Sequence, residues 1–296
     1  MKTPGSVFAS AADASYGYHA LNLVGSVKRN SDVFDRIEIF DLGLSPHQRE
    51  LLEAARGVVV RDVPPFVPHW AQCFTWKPWI WTQVEAECVF WLDAGATVLR
   101  SLAPALQLID ERGYFLVSQG GALGEIVPPD YFSDYGLSRS AATDPYVAAG
   151  IVGFRPGSEF FERVLVPTYE DCLAGRNLGF SRAELASKNR GIGHMESPPI
   201  RDCPQFRWDQ TILNVHVTLN CRDADVADLD EYGGWRSPHD HPSQVIWHHR
   251  RRGNLGYLKR VPFTSAACSR RVWGLWWQVR WWLELDGRLA RLRPRR

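Results

Sequence analysis

Phe90-Trp91-Leu92-Asp93-Ala94-Gly95-Ala96 is the stretch on which the fold of this chain turns. The apolar run Cys88–Leu92 stops abruptly at an aspartate followed by small residues, the pattern of a buried strand meeting a turn. At a strand's carboxyl end the Asp93 carboxylate projects outward, while Ala94 and Gly95 let a ligand come close to the backbone. Taken alone, an Asx-turn that merely ends a strand explains the same residues. The surrounding sequence has to separate the two.

Upstream, strand-like and helix-like segments alternate. Val7–Ser10 reads as a strand and Tyr16 to Lys28 as a helix, and Ile37–Phe40 reads as a strand again. Ser45-Pro46 supplies an N-cap and a first-turn proline for a helix through Arg56, and Val58–Val60 is β-branched throughout. A helix from Pro78 to about Glu87 leads into Cys88–Leu92, and Tyr114–Ser118 follows as a further strand. This rhythm predicts βαβ units on a mainly parallel sheet with helices on both faces. Ligands of such sheets bind outside the carboxyl ends of the strands.

Downstream the pattern is looser. Val147–Phe154 reads as a strand, Glu159–Leu173 and Asp209–Val217 as helices, and Gln244–Trp247 as a last strand. Between them Gly175–Arg207 is rich in Gly, Pro, Ser and charge, as long functional loops are. The chain has 296 residues, 45% hydrophobic and 23% charged, which suits a globular protein with a sizeable core. A net charge of +1 gives no general argument for nucleic acid. The six cysteines form no C-x-x-C pair, which speaks against a zinc ribbon and, in a chain this long, against a disulfide framework. The first residues carry no signal-peptide core, and no stretch approaches the roughly 20 apolar residues of a membrane span. The expected setting is cytoplasmic.

Five segments in order resemble the GT-A glycosyltransferases, in particular the glycogenin-like and bacterial lipopolysaccharide galactosyltransferase relatives. Phe8-Ala9-Ser10 with Tyr16 resembles their first strand and nucleoside-contacting loop. Trp76-Lys77-Pro78 resembles the helix start that presents a basic residue to the donor, and Asp93-Ala94-Gly95 their aspartate-any-aspartate motif. Ala148-Ala149-Gly150-Ile151-Val152-Gly153-Phe154 resembles the asparagine-alanine-glycine strand beside the donor sugar. Trp208-Asp209-Gln210-Thr211-Ile212-Leu213-Asn214 resembles the helix near the transferred sugar.

The resemblance implies a nucleotide-diphosphate sugar donor, a UDP-sugar first, and a glycan or lipid-linked acceptor. It implies donor contacts at Ser10, Tyr16, Lys77, Asp93, Ala94, Gly95 and Gly150, with Asp209 and Gln210 as catalytic residues. It also implies manganese or magnesium on Asp93 and a late histidine, which His248 or His249 matches in position, with His248 the expected ligand. Two departures stand out: Gly95 replaces the second motif acid, and Ala148 replaces the asparagine. A cation would then draw further oxygens from the diphosphate, while neutralisation by Arg or Lys without metal is the alternative. Arg250, Arg251 and Arg252 suit a diphosphate as well as a solvated turn, and His239-Asp240-His241 reads as a loop.

Residues 269–296 hold five tryptophans, eight arginines and two acids. Arg280, Glu284, Arg288 and Arg291 fall on one helical stripe, beside a largely apolar surface. Tryptophan with arginine suits a membrane interface, so a peripheral contact on the inner membrane face is expected; packing on the catalytic domain is the alternative. The division expected is a catalytic domain over 1–262 and an appendage over 263–296. Sugar transfer is the leading function. A non-catalytic relative used for binding competes with it, and a nucleotidyltransferase lacks its glycine-rich basic loop after the first strand, where Ala11-Ala12-Asp13-Ala14 stands instead.

Overall fold

β1 (Ser6–Ala12) is buried at all of its positions, as only a central strand covered on both faces can be. It belongs to a computed structural model that describes residues 5–180, 205–234, 238, 241–248 and 255–264. On one side β1 pairs in parallel with β2 (Arg36–Asp41), which pairs in parallel with β3 (Val58–Asp62). On the other side it pairs in parallel with β4 (Cys88–Leu92). β7 (Pro145–Phe154) then runs antiparallel between β4 and β6 (Tyr114–Ala122), giving the order β3-β2-β1-β4-β7-β6. The mainly parallel sheet expected from the sequence is present, with one reversed strand inside it. Strand order turns back between β1 and β4, the place where open α/β sheets bind ligands.

The helices follow from local chemistry. Asp13 Oδ1 accepts from the backbone N–H groups of Ser15 and Tyr16 and turns the chain into α1 (Gly17–Asn30). α2 (Pro46–Glu53) starts with a full capping box between Ser45 and Gln48. α3 (Trp76–Gln83) begins two residues before the start read from the sequence, which brings Lys77 into its first turn. α4 (Ala103–Arg112), α5 (Pro129–Tyr135), α6 (Val166–Leu173), α7 (Asp209–Asn220) and the short α8 (Leu229–Tyr232) complete the set. The helix expected from Glu159 opens instead as a π-helical turn at Phe161–Leu165 before α6.

Two cores lie on opposite faces of the sheet. Phe8, Phe34, Phe90 and Phe115 pack with α1 and α4, whereas Trp81, Trp91, Val164 and Leu213 pack with α3, α6 and α7. Side chains alternate along a strand, so Val89 and Trp91 share the second face and Asp93, two residues on, continues it. This parity aims Asp93 at the start of α3.

A small second sheet pairs β5 (Ala96–Val98) with β8 (Ile246–His248) in antiparallel fashion, setting His248 opposite Ala96. β5 carries no signal of its own in the sequence because it is three residues long. Farther on, a 3-10 turn at Gly256–Arg260 lies across α1: Tyr257 N–H donates to Asn22 Oδ1, Arg56 N–H to the Pro262 carbonyl and Thr264 N–H to the Ala54 carbonyl. Gly25 makes this crossing feasible, since a Cβ there would stand 2.1 Å from the Tyr257 oxygen. No helix among the described residues is long and apolar enough to cross a membrane. Most of the Gly175–Arg207 loop, residues 235–237, His239, Asp240, His249, Arg250–Arg252 and the whole of 265–296 lie outside the described residues, and with them the stretch 269–296 for which a membrane contact is expected.

Candidate active site

Lys77 is 3% exposed and sits between two carboxylates. Its Nζ lies 3.1 Å from Asp93 Oδ1, 3.2 Å from Asp93 Oδ2 and 3.3 Å from Asp209 Oδ2. A buried ammonium costs several kcal/mol unless paired, so this side chain can be here only because both acids are. Burial works against its charge, but Asp209 and Asp93 outweigh that and hold its pKa above the ordinary lysine value. Burial likewise pushes Asp209 up to about 6, with the Asp93 charge adding to it and Lys77 opposing it. Trp91 Nε1–H donates to Asp93 Oδ1 at 3.1 Å and fixes that carboxylate's plane.

These groups face a cleft of about 1150 Å³ at the switch point of the sheet. Ala11, Ala12, Asp13 and Tyr16 wall it at the end of β1, and Ala94 and Gly95 at the end of β4. Ala148 to Ile151 wall it from β7, and Arg207 to Gln210 from the start of α7. Gln210 Nε2–H donates to the Val147 carbonyl at 2.9 Å, and Asn214 bonds the same residue through Oδ1 and Nδ2, so α7 is pinned to β7 by side-chain amides. Cys73 also lines the cleft, but burial and then the Asp209 charge push its thiol up to about 11, too high for a nucleophile at neutral pH.

No protein-family model matches the chain, and no curated protein matches its sequence. Among solved structures it is similar to the apo structure of the bifunctional glycosyltransferase WbbM, at 12% identity and a TM-score of 0.55, over 90% of this chain. This chain spans 50% of the WbbM length. The fold is the GT-A glycosyltransferase fold. Lower TM-scores accompany an active-site mutant of LgtC (0.48, 15% identity, 86% of this chain and 94% of that one) and mouse xyloside xylosyltransferase 1 (0.49, 9% identity, 88% and 99%).

Within the GT-A cleft the residues singled out in the sequence separate into two groups. Tyr16, Lys77, Asp93, Ala94, Gly95, Gly150, Asp209, Gln210 and His248 all line it. Ser10 does not: β1 runs on to Ala12, and Ser10 is fully buried within the strand. Its place at the strand end is taken by Ala11, Ala12 and Asp13. Several lining residues carried no sequence signal, among them Trp70, Phe74, Gln119 and Gly233. They arrive from loops whose course only the packed fold decides.

Whether a divalent cation fits depends on Gly150. A Cβ there would stand 3.0 Å from Asp93 Oδ2 and 3.7 Å from His248 Cε1, so the missing side chain leaves a hollow on which these two converge. Among the described residues no three His, Cys, Asp or Glu side chains form a metal-holding group. Two protein donors and an open remainder fit a cation that takes its other oxygens from a diphosphate. With both acids ionised, Lys77 leaves this cluster at one net negative charge. A cation held by Asp93 and His248 would reverse that sign.

Proposed function

We propose that this chain is a glycosyltransferase that moves a sugar from a nucleotide-diphosphate donor, a UDP-sugar first, to a hydroxyl of a glycan acceptor. The observation that carries this reading is the Lys77 ion cluster with Asp93 and Asp209 at the switch point of a GT-A sheet. In this reading the nucleoside lies along Ala11–Tyr16, the diphosphate near Asp93, and the donor sugar between Gly150 and Asp209. Arg207 adds positive charge to the α7 wall of the cleft, beside Asp209 and Gln210. A manganese or magnesium ion held by Asp93 and His248 would supply charge neutralisation for the departing diphosphate.

The chain's own residues do the rest. Lys77 holds Asp93 and Asp209 at a fixed separation, and Gln210, oriented by the Val147 carbonyl, lines up donor sugar and acceptor. Asp209, raised to about 6, has a proton affinity suited to accepting the acceptor hydroxyl's proton near neutral pH. Residues 269–296, with their tryptophans and arginines, would bring the cleft to a membrane carrying a lipid-linked acceptor.

The test is release of nucleoside diphosphate by the full chain from a panel of UDP- and GDP-sugars, with and without manganese. Turnover is expected with at least one donor and is expected to be lost in Asp93→Asn. Gly95 in place of a second acid favours a binding-only relative as the second reading. UDP binding with no turnover of any donor would assign that one instead.

A further inference from the structure

Phe74 and Trp208 are exposed at 40% and 38%, two of the four large apolar side chains so exposed among the described residues. They are not scattered: their ring centroids lie 5.6 Å apart, and the Trp76 ring stands 5.9 Å from that of Phe74. All three line the cleft. A large ring in water forgoes the burial that drives folding. These two give up a second thing as well. Phe74 has φ +58° and follows Cys73 at φ +47°, and Trp208 has φ +50°. Bulky L-residues avoid that region, and strain of this kind persists only where neighbours over-determine it.

Around Phe74 the neighbours do so. Fully buried Asn177 donates through Nδ2 to the Cys73 carbonyl at 3.0 Å and to Thr75 Oγ1 at 2.8 Å, clamping the chain on both sides of Phe74. Lys77 Nζ lies 5.1 Å from the Phe74 centroid and 5.8 Å from that of Trp76, so the ion cluster holds the rings by their faces. On the α7 side the ring of Trp208 directly precedes Asp209. Exposure and strain at the same two residues, in a cleft, imply that something covers these rings.

We infer that Phe74 and Trp208, continued by Trp76, form the acceptor subsite and stack against the C–H face of a pyranose ring. This rests on the glycosyltransferase reading above. A sugar ring has an apolar face for the aromatic groups and a rim of hydroxyls for Asp209, Gln210 and Arg207, all lining the same wall. A nucleobase would also stack on aromatic rings, but the nucleoside end of the cleft in that reading lies at β1, across Lys77 from α7. The strained backbone keeps the rings standing at the rim instead of folding into the core.

The test uses the full chain with lactose, maltose and cellobiose, read by saturation transfer from protein aromatic protons to sugar C–H protons. Wild type is expected to transfer saturation to at least one of the three. Phe74→Gly and Trp208→Gly are expected to weaken that contact about tenfold, the effect of one lost stacking partner. Glycine also relieves the left-handed backbone, so both variants should melt higher than wild type while binding sugar less well. Phe74→Trp and Trp208→Phe keep a ring and should keep the contact.

Sugar contact unchanged in both glycine variants overturns the inference, as does a tenfold loss of UDP affinity in them, which would make the rings a nucleobase site. No contact by wild type with any of the three sugars overturns it too. If the variants lose sugar contact but wild type turns over no nucleotide sugar, the sugar subsite stands and the transferase reading fails.

Discussion

Lys77 pairs with two acids at once, and Lys77→Met would strand the buried Asp209 without a counter-charge. Breaking a buried pair from one side costs on the order of 3 kcal/mol, so denaturant unfolding of this variant should shift by about that much, with donor turnover lost. Asp209 also sets a pH dependence. Its folded pKa, raised to about 6, lies above the ordinary carboxylate value of 3.8, so the folded state binds the proton more tightly than the unfolded one. The stability this gives is full below pH 3.8 and is lost as pH rises through 6. Asp209→Asn removes the effect, so relative to this variant wild type should lose stability across that window when melting curves are compared. A third expectation concerns the cation. Manganese titrated alone should bind weakly, because among the described residues Asp93 and His248 are the two that would hold it; with UDP present its affinity should rise, and by linkage manganese should tighten UDP by the same factor. Calorimetry in both orders checks the reciprocity.

At the scale of elements, two glycines mark where the fold is tightest. Gly25→Ala would drive its Cβ into the Tyr257 carbonyl, prising the Gly256–Arg260 turn off α1, so a drop in melting temperature with the cleft chemistry intact is expected. Gly150→Ala would press on Asp93 instead, and a lower affinity for UDP with little change in stability is expected. Much of this architecture is legible in the sequence. The alternation of β1, β2, β3 and β4 with their helices is written in apolar runs, and the aspartate at the end of β4 announces itself by following one. The short β5 is hidden, because three residues carry no period. Ser10 reads wrongly as a strand-end residue because Ala11 and Ala12 look as much like a turn as like a strand. Of the rim rings, Trp208 and Trp76 stand in the quoted motifs without an aromatic role. Phe74 leaves no trace, since its place depends on Asn177, 103 residues further along the chain.

Over the whole molecule, the strand order, the cleft and the ion cluster coincide at one point. Beyond the described residues, the basic and aromatic stretch 269–296 leads to an expectation from charge alone: the full chain should sediment with phosphatidylglycerol vesicles and do so less as salt rises. Sedimentation that ignores both lipid charge and salt would argue against the charge-driven contact, and no sedimentation at all would argue against a membrane role. In the proposed function the switch-point cleft holds the diphosphate of a nucleotide sugar beside Asp93. Diffraction from crystals soaked with UDP and manganese addresses it most directly. The uracil end is expected near Asp13 and Tyr16, the diphosphate at the carboxyl end of β4, and manganese between Asp93 and His248. UDP bound anywhere else on the protein, or manganese away from Asp93 while the diphosphate sits in the cleft, would contradict it.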